Sequence, residues 1–241
     1  MTTKPLFLEN AYTRDAKAQV VGLTDQGAIL VDQSPFYATG GGQPGDSGEI
    51  RWDDKRLPIA TAVKADGGRI ALVPAGDAGP LPEVGTQIEQ EIDWDCRFGH
   101  MRVHTALHLL SVVIPLPVTG GSISVEKGRL DFDMAEAPQD KAALEAALNA
   151  LVERDLEVTE TWISDAELEA NPGLVKTMSV MPPRGAGRVR LVRIGNADEQ
   201  VDLQPCGGTH VARTGEIGRL RIGKIEKKGK QNRRVYVHFA E

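Results

Sequence analysis

The sequence predicts an α+β protein in two parts. A small β-barrel domain is expected over residues 1–94, and over residues 95–241 a domain in which an antiparallel sheet is packed with helices. Three observations carry this. Residues 5–95 hold short β-type runs separated by turn residues, with no segment of helical period. The period changes near Asp93–Asp95, after which helical segments alternate with further strands. The 241 residues, 41% hydrophobic and 26% charged, suffice for one large or two small cored domains.

In the first part the candidate strands are Ala18–Leu23, Ala28–Val31, Glu49–Trp52, Leu57–Val63, Arg69–Val73 and Gln87–Ile92. Asp25-Gln26-Gly27, Asp53-Asp54, Asp66-Gly67-Gly68 and the Pro/Gly-rich stretch Pro74–Pro82 separate them. Short, regularly spaced strands of this kind curl into a closed or partly closed barrel. In the second part Arg97–Ile114 reads as a helix, stopped by Pro115 and Pro117 because proline lacks the N–H a helix needs. Gln139–Leu156 is a second helix, with Leu144, Leu148, Leu151 and Val152 on one face. Ser164, with Glu167 three residues on, starts a short helix through a capping box and ends at Asn171-Pro172-Gly173. Strand candidates Ser122–Val125, Arg129–Met134, Glu157–Ile163, Val189–Ile194, Glu216–Ile225 and Val235–Phe239 surround these helices.

Several function classes are excluded early. The longest mainly apolar run, Leu109-Leu110-Ser111-Val112-Val113-Ile114, is far short of the roughly 20 residues of a membrane span, and Met1-Thr2-Thr3-Lys4-Pro5 carries no signal-peptide stretch. The two cysteines, Cys96 and Cys206, are too few for a disulfide scaffold and point to a reducing, cytoplasmic setting. The net charge of −6 argues against a nucleic-acid partner only until its distribution is examined. Arg184–Arg234 holds 13 basic and 5 acidic residues, a balance of +8, against −14 for the remainder. Its densest part includes Lys224, Lys227, Lys228, Lys230, Arg233 and Arg234. Such a patch on an acidic protein suits a phosphate backbone; it also suits a solvated hairpin whose cations guard an edge strand.

The most informative helix reads His100-Met101-Arg102-Val103-His104-Thr105-Ala106-Leu107-His108. Residues four apart lie one turn apart on one face, so His104 and His108 can address one ion. His100 and His108 are about 12 Å apart along the axis, so all three cannot share it. Surface histidines on an amphipathic helix are the plain alternative. A second cluster, Cys206-Gly207-Gly208-Thr209-His210, adds a thiol and an imidazole on a tight glycine turn. Three imidazoles and one thiolate suit Zn²⁺, one per chain. A helical zinc protease would need His-Glu-x-x-His, and Thr105 stands at the glutamate position.

His104-Thr105-Ala106-Leu107-His108-Leu109-Leu110, followed about a hundred residues later by Cys206-Gly207-Gly208-Thr209-His210, resembles the editing domain shared by alanyl- and threonyl-tRNA synthetases. Phe36-Tyr37-Ala38-Thr39-Gly40-Gly41-Gly42-Gln43-Pro44-Gly45-Asp46-Ser47-Gly48 is similar to the glycine-rich segment of the alanyl branch and its free-standing AlaX relatives. The resemblance covers nearly the whole chain and matches the medium-length AlaX type. It implies hydrolysis of the ester joining a wrong amino acid, chiefly serine and also glycine, to the acceptor end of tRNA(Ala). It also implies His104, His108, Cys206 and His210 as the zinc ligands.

No general-base carboxylate stands out near either motif. A bound zinc could lower the pKa of its water from ~16 towards ~7, polarise the carbonyl, or grip the substrate's amino group. Sparing Ala-tRNA(Ala) requires a partner for the serine hydroxyl. Thr105 and Thr209 are the candidates, and each could instead bond its own backbone. Gly41, Gly42 and Gln43 either form a tight barrel turn or help to hold the terminal adenosine. Arg129 or Asp131 faces the cleft or a solvated strand surface. A tRNA-binding module with a purely structural zinc and a threonyl-type editor are the rival readings.

Overall fold

The computed structural model describes residues 2–76, 79–176, 187–196 and 198–240. Part of the Pro74–Pro82 separator and Arg184 of the basic segment lie outside them. The chain divides into two compact units, Met1–Phe98 and Gly99–Glu241.

In the first unit β2 (Asp15–Leu23), β3 (Ile29–Val31), β5 (Gly48–Trp52), β6 (Lys55–Ala65), β7 (Arg69–Pro74) and β8 (Gln87–Ile92) form a closed barrel in the order β2-β3-β7-β6-β5-β8. Short strands β1 (Lys4–Pro5) and β4 (Gln33–Ser34) pair in parallel beside it. Closure follows from β8, which pairs with both β2 and β5. Its alternation turns Ile88, Gln90 and Ile92 inward, where the two isoleucines join Val20, Ile29, Phe36, Ile50, Ile59 and Leu72 in one core. Buried Gln90 is kept satisfied by Ser34 Oγ, which donates to it over 2.7 Å, and by the Gln33 carbonyl.

The glycine-rich segment belongs to this unit. Asp46 is fully buried and accepts from the Tyr37 N–H at 2.6 Å and from the Arg97 guanidinium. Arg97, also fully buried, further donates to the carbonyls of Ala11 and Pro35. One guanidinium with four acceptor atoms thus pins the segment, since a buried charge persists only when paired and hydrogen-bonded.

The division between the units falls within α1 (Trp94–Val113). From Gly99 onward nearly every side chain of α1 is buried, so this is a core helix rather than an amphipathic one. Its neighbour is a four-stranded antiparallel sheet, ordered β14-β15-β10-β9, of β9 (Val118–Ile123), β10 (Lys127–Asp133), β14 (Leu220–Lys227) and β15 (Asn232–Phe239). Gly128 allows the close approach: a methyl there would lie 2.6 Å from Val103 Cγ1 and 3.1 Å from Leu107 Cδ1. α2 (Lys141–Glu153), capped by Asp140, covers the edge strand β14 with polar side chains. Glu145 accepts from the Ile222 N–H, and Asn149 bonds both main-chain groups of Leu220.

A second antiparallel sheet, β11-β12-β13, comprises β11 (Val158–Ser164), β12 (Arg188–Gly195) and β13 (Gln200–Pro205). Ser164 and Glu167 form the expected capping box of α3 (Asp165–Ala170). The α+β class holds, but several elements differ from the sequence reading. β1, β4 and β13 are additional strands. β9 starts four residues earlier than Ser122 and includes Gly120 and Gly121. Thr214–Ile217 is a 3-10 turn, so β14 begins only after Gly218, whose φ of 75° breaks the run.

Candidate metal centre

His104 and His108 stand on successive turns of α1 with ring centroids 5.3 Å apart. Cys206 follows β13 directly, and its N–H continues the ladder to the Arg190 carbonyl at 3.1 Å. The glycine pair then turns the chain so that His210 comes back to the helix, 4.3 Å from His104 and 4.5 Å from His108 between centroids. The four donor atoms lie within 4.8 Å of one another and could hold a metal ion. Cys206 Sγ is 3.5 Å from His104 Nε2 and 3.3 Å from His210 Nε2. An ion held tetrahedrally by imidazole and thiolate needs donor-to-donor separations of about 3.5 Å, so these residues fit one. All three rings are buried, which rules out surface histidines. His100 is buried one turn earlier and stands outside the cluster.

The electrostatics prepare the donors. Burial works against a Cys206 thiolate, but attraction to the His104 and His210 rings and hydrogen bonds from His104 and His108 outweigh it. The thiol is held well below its usual range. Burial, then repulsion from His104, pushes His210 down to about 3, leaving a neutral imidazole at pH 7. Both states are those a metal requires.

Two residues that the sequence reading missed complete the support. Asp202 accepts from His108 Nδ1 at 2.9 Å, from Gln204 Nε2 at 2.8 Å and from Lys176 Nζ at 2.5 Å. Burial opposes the Asp202 carboxylate, yet His108 and Lys176 bring it down to about 2. Burial likewise opposes a charge on His108, while Asp202 and Cys206 push it up to about 9. These two shifts express one ion pair. It fixes the ring so that Nε2, not Nδ1, addresses the cluster. The other missed residue is Arg190, 4% exposed, which donates to the carbonyls of Cys206 (2.8 Å) and Gly208 (3.0 Å) and pairs with Glu160. It clamps the glycine turn. The signal for Asp202 lay in Asp202-Leu203-Gln204, whose alternation reads as a strand once its buried side is allowed to be polar; nothing local marked Arg190.

Thr105, expected as a partner for a substrate hydroxyl, is fully buried and already committed. Its hydroxyl lies 2.9 Å from the Met101 carbonyl and 3.1 Å from His210 Nδ1, and it accepts from the Val211 N–H at 3.3 Å. One proton and two lone pairs cover three partners, so the side chain orients His210. Thr209 is also fully buried. Gly41 and Gly42 have φ of 58° and 83° between the paired backbones of Gly40 and Gln43, the two-residue turn that demands positive φ at both centres. Gln43 itself is buried.

The basic segment is less uniform than its count suggests. Arg233 is 9% exposed and donates to the carbonyls of Asn232 and Ala135, so its charge points inward. Arg234 makes a two-pronged pair with Asp131, which Arg129 shares. Lys224 and Lys228 flank Glu226. Arg219, Arg221, Lys227 and Lys230 are exposed, and no ion pair involves them among the described residues. No helix among the described residues is long and apolar enough to cross a membrane.

Two families match this chain. The one described as "Threonyl and Alanyl tRNA synthetase second additional domain" matches residues 189–236, and "tRNA synthetases class II (A)" matches residues 7–96. The alanine–tRNA ligase of Pyrobaculum calidifontis is 35% identical over 93% of this chain, which spans a quarter of that enzyme's length. The alanyl-tRNA editing proteins AlaX-M of Methanosarcina acetivorans and Methanosarcina barkeri are 33% and 31% identical, each over 97% of this chain and 98% of their own. With an end-to-end match of that kind, the chain belongs to the AlaX-M family of alanyl-tRNA editing proteins.

Proposed function

We propose that the protein is a cytoplasmic, zinc-dependent deacylase that frees tRNA(Ala) from a wrong amino acid, chiefly serine and also glycine. The carrying observation is the cluster of three buried histidines, His104, His108 and His210, with half-buried Cys206 in a chain of this family. Those four residues would hold the zinc, whose Lewis acidity supplies the activation that ester hydrolysis needs.

The chain's own residues prepare and hold that site. Asp202 sets the His108 tautomer, Thr105 that of His210, and Lys176 fixes Asp202. Arg190 holds the backbone of the Cys206 turn. The low dielectric around these buried rings strengthens any charge stabilisation offered to the developing oxyanion. Asp202, the carboxylate that meets His108, is committed to that ring and to Lys176. We therefore assign no general base. Gln43 and Thr209 stay in the proposed substrate-binding set. Gly41 and Gly42 are assigned to the turn.

Four protein donors also suit a closed, structural site, which is the reading of a tRNA-binding module without hydrolysis. Single-turnover release of amino acid from Ser-tRNA(Ala), Gly-tRNA(Ala) and Ala-tRNA(Ala), with C206A and chelated protein as controls, separates the two. Deacylase activity predicts fast release of serine, little release of alanine, and loss of activity in both controls. No release from any substrate leaves the binding module.

A further inference from the structure

The exposed large hydrophobics among the described residues are Leu23, Val84, Leu116, Val125 and Trp162, and Trp162 alone is aromatic. It lies on β11, the edge strand of the three-stranded sheet, with 42% of its surface exposed. A solvent-facing tryptophan on a sheet edge is a liability that needs a reason.

Its position supplies one. Trp162 is paired across the strands with Arg190, and the Arg190 carbonyl accepts the Cys206 N–H in the next step of the ladder. Trp162, Arg190 and Cys206 therefore form one row across β11, β12 and the end of β13. Paired residues share a face, and Asp202 and Gln204, four and two places before Cys206, share it also. Both of those reach His108 Nδ1, so this is the face that looks at the metal cluster. Two strand spacings put Trp162 roughly 10 Å from Cys206. The Arg188 guanidinium stacks on the indole, 4.8 Å from its centroid, and steadies the ring while adding a cation beside it.

An aromatic ring with an adjacent cation, one nucleotide's reach from the reacting ester, fits an unpaired base and its phosphate. We propose that Trp162 is the platform on which the terminal adenine of the acceptor end stacks while the ester lies at the metal cluster, and that Arg188 faces a phosphate of the same unpaired end. This rests on the aminoacyl-tRNA reading above.

The test is equilibrium binding of two uncharged tRNA(Ala) species, one intact and one lacking the 3′-terminal adenosine. Full-length wild type is compared with W162A, W162L and W162F, with circular dichroism and metal content checked for each. Wild type should prefer the intact RNA by roughly 10-fold. W162A and W162L should lose that preference, and W162F should keep most of it. Equal binding of the two RNAs by wild type, or an undiminished preference in both W162A and W162L, overturns the platform. Hydrolysis of Ser-tRNA(Ala) by wild type is scored separately. Its absence with the preference intact sinks the deacylase reading alone, and its presence without the preference sinks the platform alone.

Discussion

Asp202 Oδ2 sits 2.9 Å from Nδ1 of His108, on the far side of the imidazole from the donor cluster. A carboxylate behind a metal-binding histidine fixes the ring and raises its basicity, and removing such a partner commonly costs 10–100-fold in metal affinity. Asp202→Asn should weaken zinc binding by about that factor, measured by competition against a chromophoric chelator. Unchanged affinity would show that His108 needs no partner to hold its tautomer.

The same pair sets a pH window in the metal-free protein. Asp202 falls from 3.8 to about 2, so its contribution is present above about pH 4 and lost as the pH drops towards 2. His108 rises from 6.5 to about 9, so its contribution is complete below about 6.5 and lost as the pH climbs through 9. The pair therefore stabilises most between about pH 4 and 6.5, by about 2 kcal/mol. The difference in unfolding free energy between wild type and Asp202→Asn should peak there and shrink on both sides. A difference independent of pH would contradict the ion pair.

Thr105 distinguishes support of the ligand from reading of the substrate. If it orients His210, Thr105→Val should lower zinc affinity and leave the ratio of Ser-tRNA(Ala) to Ala-tRNA(Ala) hydrolysis unchanged at full metal loading. Thr105→Ser should behave as wild type. A rise in Ala-tRNA(Ala) hydrolysis by Thr105→Val would return the hydroxyl to the substrate.

Arg190→Met removes the donors that the Cys206 and Gly208 carbonyls use, while its ion-pair partner Glu160 is exposed and falls back on water. Leaving those two acceptors unmet costs about 2 kcal/mol. Denaturant unfolding should show that loss, together with reduced metal content. Arg190→Lys should recover only part, because an ammonium lacks the planar fork.

For the basic segment, Lys227→Glu with Lys230→Glu should weaken tRNA binding and flatten its salt dependence, by about one unit of slope for each phosphate no longer neutralised. Arg233→Glu should instead destabilise the fold, since its charge is buried against main-chain carbonyls. Identical salt slopes for wild type and the double variant would leave these lysines as solvated guards of the hairpin.

Much of the fold could be read locally. The barrel strands show in period-two runs bounded by Asp- and Gly-bearing turns, the α3 start in Ser164 and Glu167, and the helical half of the candidate metal centre in the spacing of His104 and His108. β13 escaped because its buried side chains, Asp202 and Gln204, are polar while Val201 and Leu203 are only half-buried, an inversion of the usual strand pattern. Inversions of that kind mark positions where function overrides packing. β9 escaped because Gly120 and Gly121 lower its strand preference, which pairing to β10 overrides.

The sequence by itself determined the α+β class, the run of barrel strands ahead of the first long helix, and the two short His/His and Cys/His motifs, since each depends on periodicity, turn chemistry or the spacing of a few neighbouring residues. Only the tertiary structure decided that residues 202–210 meet 104–108, that Thr105 and Asp202 hold the rings of His210 and His108, and that Arg190 and Arg233 turn inward while Trp162 stays out. Those outcomes depend on strand register and on which buried charge finds a partner. Both are set by contacts some hundred residues apart, beyond the reach of any local pattern.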